Sequence, residues 1–433
     1  MSCGMLQKIS EYFDRHERTI ILCLALLYAF GIFFGRAFGE LFGLLIILCL
    51  LVFPRLRARI HWRDPFVFFF LLCALWIIIS TLWNRLSIRE MTLALTWPRF
   101  LLLFLVLNYG LGTNTKTTRY AYMGIFGITV FIIFDALVQF GLGRDLLGKL
   151  PLSPTRISGP MISYNLGMYL TLFTPLSLIY LVSYQRFAKL WQERLAVYTF
   201  LILASFVVFL SGERMFFLFM MIMLVLFSFW YVRKTAFYMV IIASFSLVLL
   251  LNLGPAYKER LVGKSQAEIV EIIHDLRTDE FETGGAHGGY GTHMRRGVLA
   301  FLDSPFLGHG IHSLKSYCRK AVIVPDGVNR KKLGCTSHVH NHWISWAMYF
   351  GLPGLLLWCL FLGALLRANW LLFCKPGPEL QLRALASFWV LLPFIQPAFT
   401  ANSFFNNNTE LVFWFALSFA WLGAYPQGMR KQV

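Results

Sequence analysis

Long runs of nearly uncharged residues recur along the chain, separated by short polar breaks that hold much of its arginine and lysine. Runs of about 17 or more apolar residues match what a helix needs to cross about 30 Å of hydrocarbon, and a helix satisfies its own backbone hydrogen bonds in lipid. The pattern predicts helices at roughly 19–35, 38–53, 65–83, 98–112, 120–141, 164–184, 195–211, 214–232, 236–253, 342–366, 384–400 and 411–425. The ninth and tenth are separated by a polar segment, 254–341, long enough to be functional in its own right. With no linker, repeat or low-complexity tract, residues 1–433 form one polytopic membrane domain: an all-α integral membrane protein of about 12 transmembrane helices with one large loop.

That loop is partly helical. Gln266 to Leu276 places Ala267, Ile269, Val270, Ile272, Ile273 and Leu276 among acids, the pattern of an amphipathic helix that can lie on a membrane surface. Thr283 to Thr292 is glycine-rich and reads as a connection. Met294 to Leu302 is helical in pattern and ends near Asp303, Ser304 and Pro305, before a turn at Gly308-His309-Gly310. In the first hairpin Gly31, Gly35, Gly39 and Gly43 recur every four residues, which permits close backbone approach and reads as packing.

Composition agrees with a membrane protein: 58% hydrophobic, 17% aromatic and 14% charged residues leave too much apolar surface for a water-soluble fold. Basic residues orient the chain, since short loops rich in Lys and Arg stay cytoplasmic. Arg55, Arg57, Arg59 and Arg63, then Lys116 and Arg119, Arg186 and Lys189, Arg367 and Lys375 all fall on one side, with both termini. The large loop is therefore expected outside. The net charge of +18 is spread over many short loops rather than gathered on a patch, so it argues for topology and anionic-lipid contact, with no nucleic-acid partner. The polar N-terminal stretch leads into a full-length span, so the first helix is expected to remain as an anchor. Of 8 cysteines, Cys318 and Cys335 share the outer loop, where an oxidising compartment would permit a disulfide; two buried thiols are the alternative.

Candidate chemistry gathers at the end of the loop. Ser337-His338-Val339-His340-Asn341-His342 sets three alternate histidines at the membrane surface, and three uses stay open for them: metal ligands, a helix cap, or a general base. Neither nearby carboxylates nor a Cys/His quartet accompanies them, which weighs against the metal use. Arg214 opens a span after the short turn Ser211-Gly212-Glu213, and charge in such a position is a functional hypothesis, with a pair to Glu213 as the plain alternative. Arg295, Arg296, Lys315, Arg319 and Lys320 form a basic group in the loop and Arg156 precedes the sixth span. Guanidinium groups suit a diphosphate. Asp135 lies within the fifth span with Arg99 as a candidate partner, and Asn165 stands near the outer end of the sixth. Gly263-Lys264-Ser265 is not a P-loop, because Lys258 stands where the motif requires glycine.

His340-Asn341, nine residues, then Gly351-Leu352-Pro353-Gly354 form H-N-x9-G-x-x-G, which resembles the signature of bacterial O-antigen ligases. Arg214 after its short turn, Arg156-Ile-Ser-Gly-Pro followed by Asn165, and Arg295 before Asp303-Ser-Pro-Phe-Leu-Gly-His-Gly310 are looser matches. The resemblance implies a glycosyltransferase that needs no cofactor, metal or ATP. It would move O-antigen polysaccharide from undecaprenyl diphosphate to a lipid A–core sugar hydroxyl at the periplasmic face of the bacterial inner membrane. On that reading His340, or His338, is the catalytic base. Arg214, Arg295, Arg296, Arg319 and Arg156 bind the diphosphate, with Asn341, Asn165 and Glu213 supporting. Glu213 departs from the small residue expected there. An O-antigen polymerase or protein O-oligosaccharyltransferase of the same superfamily is the nearest alternative, although the short outer segment 142–163 favours a ligase. A transporter or flippase is a third, against which the single large loop and the absence of inverted interrupted helices argue.

Overall fold

The computed structural model describes residues 3–85, 87–161, 165–232, 259, 263–277, 290–321, 335, 339–396, 405 and 407–424, and among them every regular element is helical. In chain order these are α1 (Cys3–Phe34), α2 (Arg36–Val52), α3 (Pro54–Arg59), α4 (Pro65–Trp83), α5 (Ile88–Thr96), α6 (Arg99–Leu111), α7 (Thr115–Leu142) and α8 (Leu166–Ile179), which runs on into a π turn at Tyr180–Tyr184. There follow α9 (Leu190–Leu210), α10 (Arg214–Tyr231), α11 (Lys264–Arg277), α12 (Tyr290–Asp303), α13 (Leu314–Ala321), α14 (His342–Phe373), α15 (Pro378–Ile395) and α16 (Asn407–Ala420). Eight of the described helical stretches are long and apolar enough to cross a membrane. The expected spans at 38–53, 384–400 and 411–425 are the helices α2, α15 and α16, of 17, 18 and 14 residues, which are not among the eight. The expected span at 236–253 lies outside the described residues, as does the glycine-rich stretch of the loop.

The burial pattern explains how so apolar a chain is organised. Most spans bury about half of their residues, whereas the stretch Leu166–Tyr184 is 89% buried. α8 is thus the axis, apolar on all sides because helices surround it, with α7, α9, α10, α15 and α16 packed against it. Its hydroxyls are absorbed locally: Thr174 Oγ1 donates to Leu170 O at 2.7 Å and Ser177 Oγ to Thr129 Oγ1 at 3.0 Å. On the peripheral helices the outward face is apolar too, as at Leu41, Leu44, Leu48 and Leu51 of α2 or Phe68, Leu71 and Leu75 of α4, the surface a hydrocarbon solvent requires.

Glycine packing in the first hairpin is confirmed at three of the four positions. A Cβ on Gly39 would come within 2.7 Å of Ile32 Cγ2, and those on Gly31 and Gly43 within 3.0 and 3.1 Å of neighbouring side chains, while Gly35 faces open space. Arg99 does not pair with Asp135. Its Nη2 lies 3.3 Å from Glu40 Oε1, because α6 starts beside α2 rather than α7. Asp135 instead ties down the segment after α7, its Oδ1 accepting from Leu146 N at 2.9 Å. Gln139 does the same through Oε1, which accepts from Ser158 N and Gly159 N at 2.8 and 2.9 Å.

Candidate active site

The start of α14 is built by its own sequence. Asn341, in extended conformation, caps the helix with Oδ1 accepting from Ile344 N at 3.0 Å, so His342 becomes its first residue. About 15 Å along the axis the helix breaks at Gly351, whose φ of 66° and ψ of −170° no L side chain tolerates well. The break receives the Asp303–Gly310 loop: Leu352 N donates to Pro305 O at 2.8 Å, Gly310 N to Tyr349 O at 2.7 Å and His309 N to Met348 O at 3.0 Å. A Cβ on Gly351 would sit 2.1 Å from Phe306 O, and one on Gly308 2.4 Å from Tyr349 O, so the two glycine motifs interlock.

Carbonyls released by the break need donors, since each one buried without a partner costs about 1–3 kcal/mol. α4 and its C-cap residue supply them from Trp76, Ser80 and Asn84, spaced four apart on one face. Trp76 Nε1 donates to Phe350 O at 2.7 Å, Ser80 Oγ reaches Leu307 O at 2.6 Å and Tyr349 O at 3.0 Å, and Asn84 Nδ2 donates to Gly308 O at 3.0 Å. The sequence carried this spacing, yet in an otherwise apolar span it gave no sign of its partner.

His340 precedes this frame with φ of 53°, a left-handed conformation that costs a non-glycine residue about 1–3 kcal/mol and persists only where surroundings impose it. The imposing element is α12. Its Gly297 has no room for a side chain, a Cβ there lying 2.5 Å from Val339 Cγ1 and 2.6 Å from Ile344 Cγ2, so α12 presses on the chain at both sides of His340. The imidazole, half-buried, lies edge-on to Tyr290 with ring centroids 4.9 Å apart and stacks near His293 at 5.5 Å. Tyr290, His293 and Arg296 follow one another at helical spacing, which puts the buried Arg296, rather than its more exposed neighbour Arg295, on the His293 face. Neither Tyr290 nor His293 stood out in the sequence.

The alternate histidines do not share a surface. His342 is fully buried among the rings of Trp343, Trp346, Trp358 and Phe394, at 5.3–6.4 Å, because the cap at Asn341 ends the extended stretch and turns the next side chain into the bundle. His338 lies outside the described residues. Among the described residues no three His, Cys, Asp or Glu side chains gather as a metal-binding group.

Arg214 is engaged by the loop. Its Nη2 is 2.5 Å from Glu268 Oε1 on the amphipathic helix α11, both side chains being partly exposed, and α11 packs on α12. Glu213 turns the other way and caps α8, Oε1 accepting from Gly167 N at 2.7 Å and Oε2 from Met168 N at 3.2 Å, a favoured place for a carboxylate. Arg156 Nε donates to Ser211 O at 3.0 Å, and Asn165 is the N-cap residue of α8. Arg156, Asn165 and Glu213 therefore border the turn from which Arg214 projects. Arg319 stands apart: it lines, with Lys315, Cys318 and Cys335, a shallow cavity of about 490 Å³ beside the Cys318–Cys335 disulfide, whose Cα atoms are 5.8 Å apart. His312, also left-handed with φ of 55°, packs near Tyr349; burial, aided by Arg89, lowers its pKa to about 4.

Residues 199–359 match the model of the O-antigen ligase family, a stretch running from α9 through Arg214, α12 and His340 to the Gly351–Gly354 break. Over these residues the chain is similar to that family, in agreement with the resemblance carried by H-N-x9-G-x-x-G. No curated protein matches the chain.

Proposed function

We propose that the protein is an O-antigen ligase, an inverting glycosyltransferase that moves O-antigen polysaccharide from undecaprenyl diphosphate to a sugar hydroxyl of lipid A–core at the periplasmic face of the inner membrane. The observation that carries this reading is the hold of α12 on His340, in a left-handed conformation, through Val339 and Ile344 on either side of it within the matched stretch. A base held that tightly is oriented before substrate arrives.

His340 takes the proton of the acceptor hydroxyl while its oxygen forms the new bond to the anomeric carbon from the face opposite the leaving group. The bond to the undecaprenyl diphosphate oxygen breaks, and the diphosphate departs with the electron pair. Arg214, exchanging Glu268 for the diphosphate, meets the growing negative charge, with Arg296 and Arg295 on α12 adding to the field. Arg156, Asn165 and Glu213 set the turn that aims Arg214. Asn341 acts by ending the extended chain immediately after the base. The diphosphate is already an activated leaving group, so the bond balance calls for neither ATP nor redox chemistry.

The test is transfer by purified protein from lipid-linked glycan to lipid A–core, together with the phenotype of a strain lacking the protein. Retained lipid-linked polymer with bare core is the expected outcome. Polymer attached normally but of altered chain length would identify a polymerase instead, and transfer unaffected by His340→Gln would remove the assignment of the base.

A further inference from the structure

At the membrane face opposite His340, roughly 35 Å away along α14, a groove of about 360 Å³ lies between α4, α6, α14 and the turn that follows α16. One stripe of α14 forms its length: Leu360, Ala364, Ala368 and Leu371 lie at helical spacing and are apolar, Arg367 flanks its second half and Lys375 stands at its far end. From Cys359 to Phe373 the helix covers about 21 Å, comparable with one leaflet of hydrocarbon plus its headgroup layer.

Two features show that the groove is not a seam between packed helices. Gly363 is exposed and a Cβ built on it meets nothing within 4 Å among the described residues, so this glycine leaves a notch where glycines in a bundle usually admit a neighbouring helix. Among the described residues Arg367, which is exposed, has no hydrogen-bond or ion-pair partner. An apolar trough of leaflet length with one cation beside its second half and another at its end is complementary to a lipid with an anionic headgroup.

We propose that this groove binds an anionic glycerophospholipid of the leaflet opposite the candidate active site, with one acyl chain over Gly363 and the phosphate between Arg367 and Lys375. A basic residue near a headgroup favours anionic over zwitterionic lipid roughly five-fold. The site is independent of the glycan-transfer reading. A bound lipid would join α4, which donates to the α14 break from its other end, to α14 and the turn after α16.

The experiment uses the full chain, delipidated in detergent and offered equal phosphatidylglycerol and phosphatidylcholine, with retained lipid counted by native mass spectrometry. Wild type is expected to retain phosphatidylglycerol at least about five-fold over phosphatidylcholine. Arg367→Gln with Lys375→Gln abolishes the preference while leaving neutral lipid bound. Gly363→Trp fills the notch and removes both; the exposed Arg367→Gln change alone, expected to cut the preference roughly five-fold, keeps the test decisive if that variant fails to fold. Equal retention by wild type, an unchanged preference in the double variant, or tighter retention of a polyprenyl phosphate than of phosphatidylglycerol would each overturn the proposal.

Discussion

Replacing Glu268 by glutamine separates the two things Arg214 is asked to do. Its guanidinium is 2.5 Å from the Glu268 carboxylate, and on the proposed function a donor diphosphate takes that place. Both groups are partly open, with 21% and 32% of their side-chain surfaces exposed, so solvent screens the pair. Such pairs are worth about 0.2–1 kcal/mol, which corresponds to a factor of about 1.4 to 5 in an equilibrium constant. Glu268→Gln should lower the KM for lipid-linked donor by about that factor, with kcat little changed, because the competing anion is lost and no transition-state contact is. The advantage should shrink as ionic strength rises and the Debye length falls toward the contact distance. In an Arg214→Gln background the Glu268 substitution should have no further effect on donor KM, the signature of coupled partners. The assay is initial rates of transfer in proteoliposomes across donor concentrations at two salt levels. A raised KM, or a loss of kcat alone, would refute the exchange and make Glu268 a residue that positions Arg214 for its task.

Other expectations are equally direct. His340→Gln should lower kcat by at least about a hundred-fold, whereas His342→Leu, which swaps one buried group for another in an aromatic core, should leave transfer within about ten-fold of wild type; equal losses would show that both act through folding. Gly351→Ala combines a strained φ with a 2.1 Å clash against Phe306 O and should lower the melting temperature in detergent sharply, while Ser80→Ala, which deprives two carbonyls of a donor, should cost about 1–3 kcal/mol. His312 is held neutral, its pKa near 4 set first by burial and then by Arg89 and Arg36 against Glu90 and the Phe405 carbonyl. Because that value lies below the 6.5 of an unperturbed histidine, its contribution to stability is complete above about pH 6.5. It is lost as pH falls toward 4, by on the order of 3 kcal/mol; His312→Asn, which tolerates the left-handed backbone, should flatten melting curves across that window. Alkylation in denaturant without reductant, which opens the buried Cys49 and Cys73 as well, should leave two of the 8 cysteines unlabelled until reductant is added.

How much of this was legible in the residues follows from which interactions are local. Length and continuity of apolar runs depend only on solvent and helix rise, so the helical membrane class, the amphipathic helix at 264–277 and the helix ending at Asp303 could be read before any packing was known. The pairing of H-N with G-x-x-G at fixed spacing was visible too, since one end caps α14 and the other lies within it. What the motif is for was not, because Gly351 is defined by its partner, the carbonyl of Phe306, which reaches it only when the loop folds back. The same limit explains the misassigned partners. Arg99 meets Glu40 and Arg214 meets Glu268 across elements far apart in the chain, and no local pattern encodes which helix ends adjoin. His342 shows the point within three residues: alternation made it a twin of His340, and the cap at Asn341 together with the surrounding tryptophans made it core. Sequence alone thus determined the solvent each segment prefers; the tertiary structure decided which of the chemically able groups face one another.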